Sequence, residues 1–83
     1  MTVAITLDAA LWAGVDEGAQ ALVDSWLVTE GSHVAAGQAL VRVVLVKSTL
    51  EVSAPVAGVL ERVLVPAGEN FARGQPLAQL RPD

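Results

Sequence analysis

The chain has 83 residues, 53% of them hydrophobic, with no cysteine and with nine acidic against five basic side chains, for a net charge of −4. That length fits one small domain spanning residues 1–83, and the missing cysteines remove thiol catalysis, thiolate zinc sites and a disulfide scaffold together. The acidic balance argues against a phosphate-binding surface, because nucleic-acid affinity rests on clustered positive charge.

The N-terminal stretch MTVAITLDAALWAGVDEG lacks the basic start of a signal peptide, and Asp8, Asp16 and Glu17 interrupt it. No apolar run approaches the roughly 20 residues that cross a bilayer. The expectation is therefore a cytoplasmic, monomeric domain with neither membrane nor nucleic acid as partner. Short helices are conceivable over 8–13 (DAALWA) and 17–23 (EGAQALV), but both are brief and Gly18 opens the second. Trp12 is expected over a loop near the N-terminus and Trp26 in the core.

From residue 21 the chain repeats itself. Shifted by 37 residues, ALVDSWLVTEGSHVAAGQALVRV (21–43) lies on GVLERVLVPAGENFARGQPLAQL (58–80) without a gap, and 7 of the 23 positions are identical. The identities pair Leu27 with Leu64, Val28 with Val65, Gly31 with Gly68, Ala35 with Ala72, Gly37 with Gly74, Gln38 with Gln75 and Leu40 with Leu77. Asp24 and Glu61 share a charge, and His33 aligns with Asn70 of the second repeat, in a segment that reads as a turn. The glycines fall where turns are needed. Alternation in LEVS (50–53) and in part of VLERVLV (59–65), with Val and Leu throughout, indicates strands. Two such halves, each too small to bury its own apolar face, predict an all-β flattened barrel or sandwich with pseudo-twofold symmetry.

Between the repeats, residues 44–57 hold the sole lysine, Lys47. Alternation turns Val41, Val43 and Leu45 inward, and Arg42, Val44 and Val46 outward. The acidic residues Asp8, Asp16, Glu17, Asp24, Glu51 and Glu61 are expected on a solvated surface. His33 has no second histidine or cysteine with which to hold a metal. No GxSxG elbow, P-loop or GxGxxG is present.

Residues 17–43 and 50–80, with Trp26 before Leu27-Val28-Thr29-Glu30-Gly31 and Lys47 eight residues before Pro55 of SAPVAG, resemble the biotinyl/lipoyl carrier domains. The likeness is greatest to lipoyl domains of acyltransferase components of 2-oxo acid dehydrogenase complexes. It implies a flattened barrel of two four-stranded antiparallel sheets with the modified lysine on a tight hairpin turn. It also implies a carrier without an active site of its own, bearing lipoate in amide linkage to Lys47. Its implied partners are a lipoate ligase or lipoyl transferase and the components of a 2-oxo acid dehydrogenase complex. Lipoyl domains usually read Glu-Thr-Asp-Lys-Ala where this chain reads Val44-Leu45-Val46-Lys47-Ser48, so valine replaces both acids. The methionines that flank the lysine in biotin domains are missing as well. Biotin at Lys47 is the second reading, and an unmodified barrel serving as an interaction module is the third. Val44, Val46, Ser48 and Glu51 form the candidate recognition surface around the lysine.

Overall fold

The computed structural model describes residues 2–15 and 18–83. Eight strands follow in chain order: β1 (Val3–Ile5), β2 (Ala21–Trp26), β3 (His33–Val34), β4 (Ala39–Leu45), β5 (Ser48–Ser53), β6 (Gly58–Val63), β7 (Asn70–Phe71) and β8 (Ala78–Pro82). They form two four-stranded sheets, ordered β1-β8-β6-β3 and β5-β4-β2-β7, in which every pairing is antiparallel. Shifting the numbering by 37 carries β2 onto β6, β3 onto β7 and β4 towards β8, so one sheet maps onto the other, with β5 and β1 as counterparts. Each half also lends its two-residue strand to the opposite sheet: β3 pairs with β6, and β7 with β2.

The identities between the halves now have physical reasons. Four turns close with the N–H of the fourth residue donating to the carbonyl of the first: Thr29–Ser32, Ala35–Gln38, Pro66–Glu69 and Ala72–Gln75. In each the third residue is a glycine with φ between +79° and +91°, the type II pattern that a side chain at that position resists. Gln38 and Gln75 lock their turns identically, Oε1 accepting from the N–H of Ala35 (2.9 Å) and of Ala72 (3.0 Å). The paired acids Asp24 and Glu61 sit at register shifts, between Val23 and Ser25 in β2 and between Leu60 and Arg62 in β6. Both are exposed. An extra residue in a strand has no partner opposite it and faces water, so a charge suits both places.

Between the sheets lies one core that includes Ile5, Val23, Val34, Leu40, Leu60, Phe71, Leu77 and Leu80. Burying each of these side chains contributes about 1.5–3 kcal/mol before entropy is subtracted. The tryptophans depart from expectation. Trp12 is 1% exposed and is the largest side chain of the core, not a cover over a loop. Its ring meets Phe71 edge-on, with centroids 6.1 Å apart and planes at 85°. Trp26 is only half-buried at the core's margin, where its indole N–H donates to the carbonyl of Val65 at 2.9 Å. A single 3-10 turn (Ala9–Trp12), capped by Asp8 through a 2.9 Å bond from the N–H of Ala10, delivers Trp12 to the interior. Residues 21–23 of the second conceivable helix begin β2 instead, while Asp16 and Glu17 lie outside the described residues. His33 is in a strand rather than a turn, paired with Val59, and its Nε2 lies 2.8 Å from Asp83.

Candidate functional site

Leu45 pairs with Ser48, leaving Val46 and Lys47 as the two-residue loop of the β4–β5 hairpin. Two-residue hairpins require positive φ at the first or at both loop positions, so that the turn follows the twist of the strands. Val46 supplies it, with φ of +57°, and is the sole non-glycine residue with positive φ among those described. Lys47 follows at the tip and is exposed. From there β5 runs the length of its sheet to Ala54, whose N–H donates to the carbonyl of Gln38 and whose carbonyl accepts from Gly37. Pro55 then starts the bend that leads into β6. The eight-residue interval between Lys47 and Pro55 is therefore one strand with its connections.

The hairpin's two faces differ. Inward lie Val41, Val43, Leu45 and Val52, all buried, with Leu50 partly so. Outward, Val44 sits opposite Thr49 and Arg42 opposite Glu51. Arg42 Nη2 and Glu51 Oε2 are 3.6 Å apart, with both side chains about half exposed, a pair worth at most about 1 kcal/mol. The candidate recognition residues therefore do not form one patch. Val46 is 66% exposed at the tip, Val44 and Glu51 lie on the outer face, and Ser48 is on the inner face with Leu50. Val44 is half-buried rather than open.

Beside the tip an apolar groove of about 210 Å³ is lined by Leu11, Val15, Leu45, Val46, Ser48 and Leu50. Its outer wall is the segment that follows β1. Arg73 holds that segment in place: Nη2 donates to the carbonyls of Trp12 (3.3 Å) and Val15 (3.1 Å), and the guanidinium lies 5.7 Å from the centre of the Trp12 ring. Such a contact adds about 0.5–2 kcal/mol. Leu11, Val15 and Leu50 were not among the sequence-based candidates. For Leu11 the signal was the apolar run 9–13, which precedes the repeat; Val15 and Leu50 carried none.

The barrel, its exchanged short strands and its lysine-tipped hairpin can be set against known proteins. The family model of biotin-requiring enzymes, covering biotin/lipoyl attachment domains, matches residues 13–80. The chain belongs to the biotinyl/lipoyl attachment family. Over 54 residues, 64% of its length, it is 43% identical to the dihydrolipoyllysine-residue acetyltransferase component of the pyruvate dehydrogenase complex of Zymomonas mobilis, of which it covers 12%. Two solved structures share the fold at 24% identity. The lipoyl domain of the 2-oxoglutarate dehydrogenase complex of Azotobacter vinelandii superposes with a TM-score of 0.75, over 94% of this chain and 96% of that one. A single-chain, multi-domain long-chain acyl-CoA carboxylase superposes with a TM-score of 0.78, over 99% of this chain and 7% of that one. The biotinyl/lipoyl family to which this domain belongs consists of carriers of lipoate or biotin without a catalytic site of their own.

Proposed function

We propose that Lys47 is the acceptor of lipoate in amide linkage, and that the domain serves as a swinging-arm carrier for a 2-oxo acid dehydrogenase-type complex. The observation that carries this reading is the position of the chain's sole lysine, exposed at the tip of a two-residue hairpin in a biotinyl/lipoyl barrel. Lipoate is favoured over biotin by the likeness to the acetyltransferase component and by the flanks, Val46 and Ser48, neither of which is methionine.

The protein's part in this role is geometric. No base stands within hydrogen-bonding distance of Lys47 among the described residues, so the activated acyl group and the proton acceptor both come from a ligase. The chain contributes presentation. Leu45 and Ser48 close the hairpin below the tip, and the buried Val43 and Leu45 fix β4 to the core, so the backbone from which the lysine stem springs is held on a rigid sheet. When bound, lipoate supplies a dithiolane that accepts acyl groups and electrons. A shared assembly raises the effective concentration of the tip at each partner site towards the mM range.

Co-expression with a lipoate ligase, and separately with a biotin ligase, followed by intact-mass measurement, tests the reading. One lipoyl adduct is expected in the first case, with none in the Lys47→Arg variant, whose thermal midpoint stays near the wild type because a surface charge swap at a turn changes stability by about ±0.5 kcal/mol. A biotin adduct alone moves the domain to the carboxylase type of carrier. Absence of both leaves the barrel as an unmodified interaction module.

A further inference from the structure

We infer that the groove beside the tip is a resting seat for the aliphatic arm carried on Lys47, so that the loaded domain alternates between an arm docked on its own barrel and an arm swung free. The inference rests on the acceptor role proposed for Lys47. It starts from position: Val46 and Ser48, the residues on either side of Lys47, both line the groove while Lys47 does not, so an arm on the lysine springs from the groove's rim and enters it by folding back along the hairpin. Leu50 lies three residues further along β5, about 10 Å at a rise of ~3.3 Å per residue, and marks how far the arm must fold back.

Chemistry selects the occupant. Leu11, Val15, Leu45, Val46 and Leu50 are aliphatic, and Ser48 is the one polar residue lining the groove among those described. At about 210 Å³ the groove is below the roughly 300–1,000 Å³ of pockets that hold drug-sized ligands, and is of a size for an alkyl chain with a small ring. A second hollow continues past Leu11 but is lined by Asp8 and Glu51 as well, which makes it a poor place for an apolar group. Exposure of Leu11 (43%) and Val46 (66%) leaves apolar surface that a docked arm would cover. Each methylene removed from water shifts the docked-to-free ratio about fourfold, and the covalent tether supplies the arm at high local concentration.

The wall is held from behind, not by the arm. Trp12 is anchored in the core and Arg73 bonds the carbonyls of Trp12 and Val15, so the groove exists before any arm is attached. Val46 contributes an apolar surface where lipoyl domains commonly carry aspartate. A carboxylate there would be desolvated by a docked arm, at a cost that favours the swung state.

The test uses the 83-residue chain with isotope-labelled methyl groups, loaded enzymatically or, if no ligase acts, with the N-hydroxysuccinimide ester of lipoate. Lys47→Arg treated in parallel isolates any adduct on the N-terminal amine. Nuclear Overhauser contacts are expected from the arm's methylenes to the methyls of Leu11, Val15 and Leu50, and are expected to vanish with an acetyl group in place of the arm. Leu11→Ser and Val46→Asp should each lower the docked-to-free ratio by about tenfold or more, equivalent to losing two methylenes of contact. Perturbations confined to residues 46–48 in the loaded chain overturn the inference. So does the finding that Leu11→Ser slows enzymatic loading while the loaded arm makes no groove contacts, which assigns the groove to the ligase instead. Failure of enzymatic loading with successful docking of the chemically attached arm counts against the carrier role alone.

Discussion

At φ of +57° the backbone of Val46 occupies a region that L-residues enter at a cost of roughly 1–2 kcal/mol, and its branched Cβ makes the fit worse. With positive φ at the first loop position alone the turn is of the II′ kind, which favours glycine there, so Val46→Gly should raise stability by about 1 kcal/mol, visible as a thermal midpoint higher by about 4–8 °C. Gly58 presents the opposite case. A Cβ there would strike the carbonyl of Arg81 and come within 2.9 Å of Pro82 Cα, so Gly58→Ala should cost about 1–3 kcal/mol in chemical denaturation. Its counterpart in the first half is Ala21, which is buried without conflict. At this scale Lys47 was legible from its solitude and its interval to Pro55. The conformation of Val46 was not, because the first position of such a loop announces itself through glycine, asparagine or aspartate, and a valine after an apolar strand reads as more strand.

Among the elements, the four type II turns were the most readable, since each needs a glycine at one place and leaves it in the sequence. The glutamine locks add a measurable contribution. Gln38→Ala and Gln75→Ala should each cost about 1 kcal/mol, as for one hydrogen bond, and the double variant should lose the sum because the two turns share no partner. Urea midpoints of the three variants check this. The 3-10 turn before the first repeat was the least legible element. A single turn is too short to show helical periodicity, and nothing local to Trp12 says that Phe71 waits for it across the barrel. Sequence reasoning therefore exchanged the two tryptophans, giving the core to Trp26 and the periphery to Trp12. Truncating Trp12 should cost about 3–5 kcal/mol, as for other large aromatic side chains in cores.

For the molecule as a whole, the repeat announced the symmetry but not the exchange of β3 and β7 between sheets. A two-residue strand carries too little pattern to show which sheet it joins, and tertiary pairing decides. The exchange has a thermodynamic consequence: residues 1–47 lack two strands, β5 and β7, of the sheet built on β2 and β4, residues 48–83 lack β1 and β3 of the sheet built on β6 and β8, and each holds only about half the core. Separately they should show no cooperative thermal transition by circular dichroism, and mixing them should restore one. The symmetry also governs where the chain may be joined to others. Adding 37 to the loop position of Val46 gives residue 83, so β8 and β1, paired antiparallel, take the places that β4 and β5 hold around the Val46-Lys47 loop. The bond from the N–H of Asp83 to the carbonyl of Ala57, and the hollow in which Val3 adjoins Ser53 and Pro55, put Val3 and Asp83 near the far end of β5. Any linker fused to either terminus departs from the pole remote from Lys47, so the leash and the working tip do not compete for space.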